Sequence, residues 1–206
     1  MSKLTIVAGL LLVAGLAPAW AAPGAQPGKM DNVQSAVSTI AAPLPRDSVY
    51  QLPLLLTDQH ARRVDWRSRR GKPQVVAMFY SSCRYICPLI IEGGKAVDRS
   101  LTPAQRAGLG VLFISMDPAR DTPHALATLM KDRKIDPRWS LASPRPEDVR
   151  SVAGVLDVRY RQMSDGEFNH TSALILLDAD GRIVARTEQI GSKPDPAFIA
   201  AVKALL

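Results

Sequence analysis

Two stretches of the chain are nearly unbroken runs of apolar residues, and they constrain the fold more than any other feature. They are QVVAMFY at residues 74–80 and VLFISMD at residues 111–117. A strand with one face in water alternates apolar and polar residues, whereas a continuous apolar run is typical of a strand buried on both faces. Such strands usually belong to a parallel sheet that carries helices on both sides. We therefore predict an α/β protein built around these two strands.

The segments around these strands contain three helix starts and one hairpin. Asp121-Thr122-Pro123 and Asp195-Pro196 each place a capping side chain before a proline at the first helical turn. A third helix is predicted from Pro146 to about Leu156, because valines recur along one face of that segment. Two apolar runs around Asp180-Gly181 predict a β-hairpin.

Two short strands are also predicted before the first apolar run, at residues 49–58 and 61–66. Pro53 places the first of them at an edge of the sheet, because proline cannot donate a ladder hydrogen bond. The order of elements is then strand, helix, strand, helix, a hairpin and a closing helix. This order is typical of a thioredoxin-like α/β fold, with a central mixed sheet flanked by helices and an N-terminal strand extension.

The first 21 residues have the pattern of a secretory signal peptide. Lys3 precedes an apolar stretch that ends near Leu16, and Ala19-Trp20-Ala21 provides small residues at a cleavage site. An uncleaved membrane anchor is the less favoured alternative, because the stretch is shorter than the roughly 20 residues that a spanning helix needs. We therefore expect the mature protein in the periplasm, an oxidising space outside the cytoplasm.

Residues 22–48 are rich in Ala, Pro, Gly and Ser without a sustained period, which predicts a flexible tether. The folded domain is predicted to run from Val49 to the end of the chain, residues 49–206. A domain of this size buries enough surface to be stable without a disulfide. The only two cysteines of the chain are therefore expected to serve chemistry rather than stability.

The formal net charge of +7 favours acidic partners or an anionic membrane surface, although it also serves simple solubility. A nucleic-acid partner is not expected, because the protein is exported and its basic residues are not interleaved with aromatic ones.

Both cysteines lie in SSCRYICP, residues 81–88, at a C-x-x-x-C spacing. Cys83 follows a central strand, where open α/β sheets place their sites, and Cys87 is expected at the start of a helix. A helix amino terminus and the adjacent Arg84 both lower the pKa of a thiol. One helical turn separates the cysteines, so the pair can form a disulfide or bind a metal with two sulfurs. A purely structural disulfide is the alternative.

Three histidines are present. His60 is expected in a turn and His124 at a helix start, both on the surface. His170 precedes the apolar strand SALILL late in the chain, but its position alone does not make it a ligand.

Three segments, FYSSCRYICPL, VLFISMDPARDTPHAL and FNHTSALILLDADGRIVA, occur in an order that resembles the Sco/SenC family of copper-binding, thioredoxin-like proteins. The resemblance extends from about Leu52 to the end of the chain. It implies that Cys83, Cys87 and His170 bind copper. Two thiolates and an imidazole are a soft set that suits Cu(I) and can hold Cu(II) with a further ligand.

The resemblance further implies a metallochaperone that helps to assemble the binuclear copper centre of a haem-copper cytochrome oxidase. Its partners would be the copper-site subunit of the oxidase or another copper chaperone, and the protein would be a monomer.

This chain differs from the family pattern at three positions beside the expected ligands. Arg84 and Tyr85 replace the Pro and Asp that commonly follow the first cysteine, and Asn169 replaces the Asp that commonly precedes the histidine. Both changes remove negative charge and are expected to weaken Cu(II) binding more than Cu(I) binding. Asp117 and Asp121 match acids of the family motif, and we expect them to serve as loop and helix-capping groups.

A second hypothesis is a thiol-disulfide oxidoreductase, in which one of Cys83 and Cys87 attacks a partner's disulfide and the other resolves the intermediate. The C-x-x-x-C spacing and the missing proline before SALILL argue against it. A peroxide-reducing thiol enzyme is a third hypothesis, but no peroxide-binding residues are evident. A binding module with a structural disulfide is the fourth.

Overall fold

A computed structural model describes residues 43–206 of the protein as nine strands, five α-helices and three short 3-10 turns. The strands, in chain order, are β1 (Leu55–Asp58), β2 (Arg63–Asp65), β3 (Gln74–Phe79), β4 (Gly110–Ser115), β5 (Ser140–Ser143), β6 (Tyr160–Gln162), β7 (Phe168–His170), β8 (Leu174–Leu177) and β9 (Ile183–Thr187). The helices are α1 (Ile86–Arg99), α2 (Pro103–Gly108), α3 (Pro123–Asp132), α4 (Val149–Val155) and α5 (Pro196–Ala204).

Seven strands form one mixed sheet in the order β2-β1-β5-β4-β3-β8-β9, and β6 pairs with β7 in a separate hairpin. The two apolar runs are confirmed as the parallel neighbours β3 and β4, with Val76 opposite Leu112. All six residues of β3 are buried, which requires cover on both faces of the sheet. Helix α1 packs on β3 and β8, α3 on β5 and β1, and α5 on β9. The predicted α/β class is confirmed.

The predicted strand at residues 49–58 is only partly correct. Residues Val49–Gln51 form a 3-10 turn, and β1 begins at Leu55. The inference from Pro53 was wrong, because β1 pairs with β2 on one side and β5 on the other, and β2 is the edge strand. Pro53 lies before β1 and therefore takes no part in its ladder.

The folded unit begins before the predicted boundary at Val49. The Ser48 hydroxyl donates to the carbonyl of Asp180 at 2.6 Å, and the Val49 amide donates to that of Gly181 at 2.9 Å. Leu44 packs against the hydrophobic core. Residues 43–48 therefore belong to the domain, whereas the predicted leader and residues 22–42 lie outside the described part of the chain. Between residues 43 and 206, no helix is both long and apolar enough to span a membrane.

Two of the three predicted helix starts are confirmed by their caps, whereas the segment predicted from Pro146 begins as a 3-10 turn and continues as α4 from Val149. The Thr122 hydroxyl accepts from the Ala125 amide at the start of α3, and the Asp195 carboxylate accepts from the Ala197 amide at the start of α5. The hairpin around Asp180-Gly181 is also confirmed, since β8 and β9 pair as antiparallel neighbours. The packing of α1 on the sheet depends on Gly94, where an added Cβ atom would lie 2.5 Å from Cη2 of Trp139.

We expect Gly94→Ala to destabilise the fold by about 1–3 kcal/mol, because the added methyl group forces Trp139 or α1 to move. Gly154→Ala is the matched control, since no atom lies within 4 Å of its Cβ position. In α4 this control should leave stability unchanged or raise it by about 0.5–1 kcal/mol. Urea unfolding of both variants measures the difference. Equal stability of the two variants would contradict tight packing at Gly94.

Candidate metal centre

The two cysteines lie where β3 turns into α1. Cys83 is in the loop between the strand and the helix, and Cys87 is in the first turn of α1. The Cys87 amide donates to the Cys83 sulfur at 3.4 Å, and the Tyr80 amide donates to the Cys87 sulfur at the same distance. The thiols are free, and Cys83 is 9% exposed whereas Cys87 is 2% exposed. Backbone N–H groups therefore stabilise negative charge on both sulfurs.

The two thiols ionise in sequence. A hydrogen bond from the Cys87 thiol, helped by the backbone amides of Cys87 and Tyr85, lowers the pKa of Cys83 to about 4. The same hydrogen bond, together with burial, raises the pKa of Cys87. At neutral pH the pair thus holds one proton, and the thiolate is on Cys83, the more exposed sulfur.

Asp121 holds the cysteine loop against the end of β4 and is not a helix cap, contrary to expectation. It is 1% exposed, and its carboxylate accepts from the Ser81 amide at 3.1 Å and from the hydroxyls of Ser81 and Ser115. Burial raises the pKa of Asp121, and the serine hydrogen bonds oppose that effect. Asp117 instead forms an ion pair with Arg120.

His170 lies at the end of β7, in the hairpin formed by β6 and β7, directly opposite Tyr160. Its Nδ1 atom is 3.0 Å from the Thr171 carbonyl oxygen, which can only accept a hydrogen bond. Nδ1 therefore carries the proton, and Nε2 of the neutral ring has a free lone pair. Nε2 is buried and has no hydrogen-bond partner in the structure. A histidine with one nitrogen fixed by a carbonyl and the other without a hydrogen-bond partner has the arrangement typical of a metal ligand.

Tyr80 connects the cysteine loop to the histidine hairpin. Its ring packs edge-on against Phe168, with centroids 5.2 Å apart, and against His170 at 5.8 Å. Its hydroxyl donates to Glu167 at 2.9 Å and accepts from the Phe168 amide at 3.3 Å. Burial raises the pKa of Tyr80, and the nearby acceptors Cys83 and Glu167 raise it further, so the phenol remains protonated.

A cavity of about 600 Å³ lies between the loop and the hairpin. Cys83 and His170 both line it, whereas Cys87 lies beside Cys83 and does not reach it. No group of three His, Cys, Asp or Glu side chains in residues 43–206 is close enough to hold a metal ion. The structure thus brings Cys83 and Cys87 into contact and places His170 across the cavity, and a three-ligand site requires the two walls to approach.

The three positions that depart from the family pattern, Arg84, Tyr85 and Asn169, also line this cavity. The expectation of lost negative charge is incomplete, because Asp165 and Glu167 line it too. Sequence reasoning missed those two acids and Tyr80. The position of Tyr80 directly after an apolar strand and three residues before Cys83 was the available signal. The other two histidines, His60 and His124, are exposed, as expected.

A mixed sheet whose central strand leads through a dithiol loop into a helix defines a thioredoxin-like protein with a thiol site. The sequence pattern of the SCO1/SenC family matches residues 45–206, and the chain belongs to this family.

Relatives in sequence include an SCO2-like protein of Rickettsia typhi, 24% identical over 63% of this chain and 65% of that protein. The human protein SCO1 homolog, mitochondrial, is 27% identical over 64% of this chain and 45% of its own length. The chain therefore spans less than two thirds of these relatives.

Among solved structures, the copper-bound ScoI of Bradyrhizobium japonicum is 28% identical and covers 75% of this chain and 98% of its own, with a TM-score of 0.64. The copper-bound ScoI of Arabidopsis thaliana covers 74% of this chain and 95% of its own, with a TM-score of 0.63. At 23% identity the latter likeness concerns the fold alone.

We expect Cys83 to react with iodoacetamide at nearly the same rate at about pH 6 and about pH 8, because it is already a thiolate. An ordinary thiol with a pKa of about 8.5 would react far faster at the higher pH. Cys87→Ala should restore a steep pH dependence, since it removes the thiol whose hydrogen bond is the largest cause of the shift. Tyr80→Phe should have a smaller effect in the same direction. Mass spectrometry of the alkylated peptide gives the rates, and a steep profile in the unmodified chain would contradict the ionisation order.

The raised pKa of Asp121 predicts a specific pH dependence of stability. An acid whose pKa is higher in the folded state than the unfolded value of 3.8 stabilises the fold when protonated, and this stability is lost as the pH rises through the folded pKa. Relative to Asp121→Asn, the unmodified chain should therefore lose stability as the pH rises from 3.8 through the raised pKa of the folded state. Chemical unfolding at several pH values measures the difference. A constant difference, or one of opposite sign, would contradict the raised pKa.

Proposed function

We propose that this protein is a periplasmic copper-binding metallochaperone that assists assembly of the binuclear copper centre of a haem-copper cytochrome oxidase. One observation carries the proposal: Cys83 and His170 line the same cavity, Nε2 of His170 has no hydrogen-bond partner, and the second thiol of Cys87 lies directly beside Cys83. Two sulfurs and an imidazole nitrogen are a donor set that suits Cu(I) better than hard, oxygen-seeking cations.

The ionisation of the two thiols and the tautomer of His170 suit copper binding. Cys83 offers a formed thiolate, whereas Cys87 must release its proton, so copper loading should release protons. The Thr171 carbonyl keeps the proton on Nδ1 of His170 and so leaves Nε2 free to coordinate. The cargo would supply the positive charge that draws the two walls of the cavity together. Three ligands leave a position open for a recipient's ligand, which suits transfer rather than storage.

The relatives support the same assignment, since the ScoI of Bradyrhizobium japonicum carries bound copper. Our proposed partners are the copper-site subunit of a cytochrome oxidase or another copper chaperone. We further propose a monomer that is exported by its leader and associates with anionic membrane surfaces through its excess positive charge.

A second function, reduction of a partner's disulfide, is favoured by the ionisation order of the two thiols. The Cys83 thiolate would attack one sulfur of the partner's disulfide and release the other as a thiolate. Cys87 would then lose its proton, attack Cys83 in the mixed disulfide and release the second partner thiol. The products are a reduced partner and an oxidised Cys83–Cys87 pair. Cys83 is therefore the nucleophile and Cys87 the resolving thiol in this hypothesis.

Anaerobic titration of the reduced protein with Cu(I), in competition with a chromophoric chelator, tests the leading proposal. We expect one tightly bound copper per chain. His170→Ala should weaken binding by about 10- to 100-fold or more, because replacing even an outer-sphere partner of a metal ligand costs that much. His124→Ala is the matched control and should bind as the unmodified chain does, since His124 is exposed and lies outside the cavity.

The same titration separates the two functions. Failure of the reduced, folded protein to retain copper against the chelator would overturn the metallochaperone proposal. If the Cys83–Cys87 pair of that protein were then oxidised and reduced reversibly, disulfide reduction would be the better assignment. Equal loss of affinity in His170→Ala and His124→Ala would exclude His170 as a specific ligand.

A further inference from the structure

A second cavity, of about 570 Å³, lies at the opposite end of the central strands from the cysteine loop. Gln74, the first residue of β3, and Gly110, the first residue of β4, both line it, whereas Cys83 follows the other end of β3. Five cationic side chains and no acidic one line its wall. These cations are Arg69, Arg70, Lys72, Arg106 and Arg138.

Two of these five cations already have partners. Arg70 pairs with Asp180 at 2.8 Å, and Arg138 pairs with Asp98 at 2.8 Å and Asp136 at 2.9 Å. The other three, Arg69, Lys72 and Arg106, form no ion pair within residues 43–206. Asp58 and Asp136 act on Arg69 and Arg106 only from beyond ion-pair distance, so the wall of the cavity has an excess of positive charge.

The unpaired arginines are also missing hydrogen-bond acceptors. Nε of Arg69 and Nε of Arg106 are both buried, and neither has a hydrogen-bond partner in the structure. A buried charged donor without an acceptor is costly, and native proteins rarely keep one unless a ligand or an ordered water completes it. The two arginines that carry these donors line one cavity, which points to a shared anion.

The cavity wall is held in place by a buried amide. Gln74 is 2% exposed, its Oε1 accepts from Nη1 of Arg69 at 3.3 Å, and its Nε2 donates to the Lys72 carbonyl at 3.1 Å. Gly110 leaves room for this amide, since a Cβ atom there would lie 2.1 Å from Oε1 of Gln74. The guanidinium of Arg69 is therefore positioned in advance of any ligand.

We propose that this basic cavity, formed around Arg69, Lys72 and Arg106, binds a phosphate group, either free as a soluble phosphate ester or as the headgroup of an anionic phospholipid. A guanidinium presents its N–H donors in a plane that matches two oxygens of a phosphate, and an ammonium adds a point charge. The cavity lies away from Cys83 and His170, so the site is separate from the copper site proposed above.

Calorimetric titration of the full chain with sodium phosphate and with glycerol 3-phosphate, against sodium chloride at constant ionic strength, tests the proposal. We expect saturable binding of the phosphates. Arg69→Gln and Arg106→Gln should each weaken it about tenfold, the value of one charge-assisted hydrogen bond. Lys72→Gln removes a less buried charge and serves as the second test if an arginine variant unfolds. Arg150→Gln is the matched control, because Arg150 is exposed on α4 and does not line this cavity.

Sedimentation with lipid vesicles then separates the two sources of phosphate. Binding to phosphatidylglycerol vesicles but not to phosphatidylcholine vesicles, lost in Arg69→Gln and kept in Arg150→Gln, would support the headgroup. Binding of the soluble phosphates alone, with the same dependence on Arg69, would support a soluble ester. Phosphate binding no tighter than chloride binding, with vesicle binding that is absent or that Arg69→Gln and Arg150→Gln reduce equally, would overturn the proposal.

Discussion

The burial of β3 on both faces is the constraint on which both candidate sites depend. Its six residues are covered, and it is fixed laterally by parallel pairing with β4 and antiparallel pairing with β8. A strand held in this way cannot shift along its axis without moving all its side chains to the wrong face. Both ends of β3 are therefore fixed in position. Gln74, its first residue, lines the basic cavity, and Tyr80, directly after its last residue, leads into the cysteine loop.

The cysteine loop gives two chemically identical thiols different pKa values. Cys83 and Cys87 are one helical turn apart, but backbone amides and the Cys87 thiol all donate towards Cys83, whereas Cys87 is more deeply buried. The difference needs no charged neighbour, because the Cys87 thiol is the main donor to Cys83 and the backbone amides of Cys87 and Tyr85 add to its effect. Arg84, which was expected to lower the pKa of Cys83, is exposed and is not among the causes of that shift.

Sequence reasoning predicted the parts of the fold whose signals are local. The continuous apolar runs gave β3 and β4, and a capping residue followed by proline gave the starts of α3 and α5. The hairpin of β6 and β7 was missed, because strands of three partly exposed residues carry no clear period. The position of Cys83 at a strand end was predictable for the same local reasons. The partners of Tyr80 and Asp121 were not, since Tyr80 meets Glu167 across 87 positions of the chain and Asp121 meets Ser81 across 40.

Buried polar atoms without hydrogen-bond partners occur on residues that line both cavities. Five such side-chain atoms occur in residues 43–206, and three of them, on His170, Arg69 and Arg106, belong to residues that line the two cavities. A folding chain gains nothing from leaving these atoms without partners, so a ligand or an ordered water is expected to complete them. The chemistry of the atoms then selects the ligand. An imidazole lone pair across a cavity from a thiolate favours a soft cation, and buried guanidinium donors favour an oxyanion, so one sheet carries two sites of opposite charge preference at its two ends.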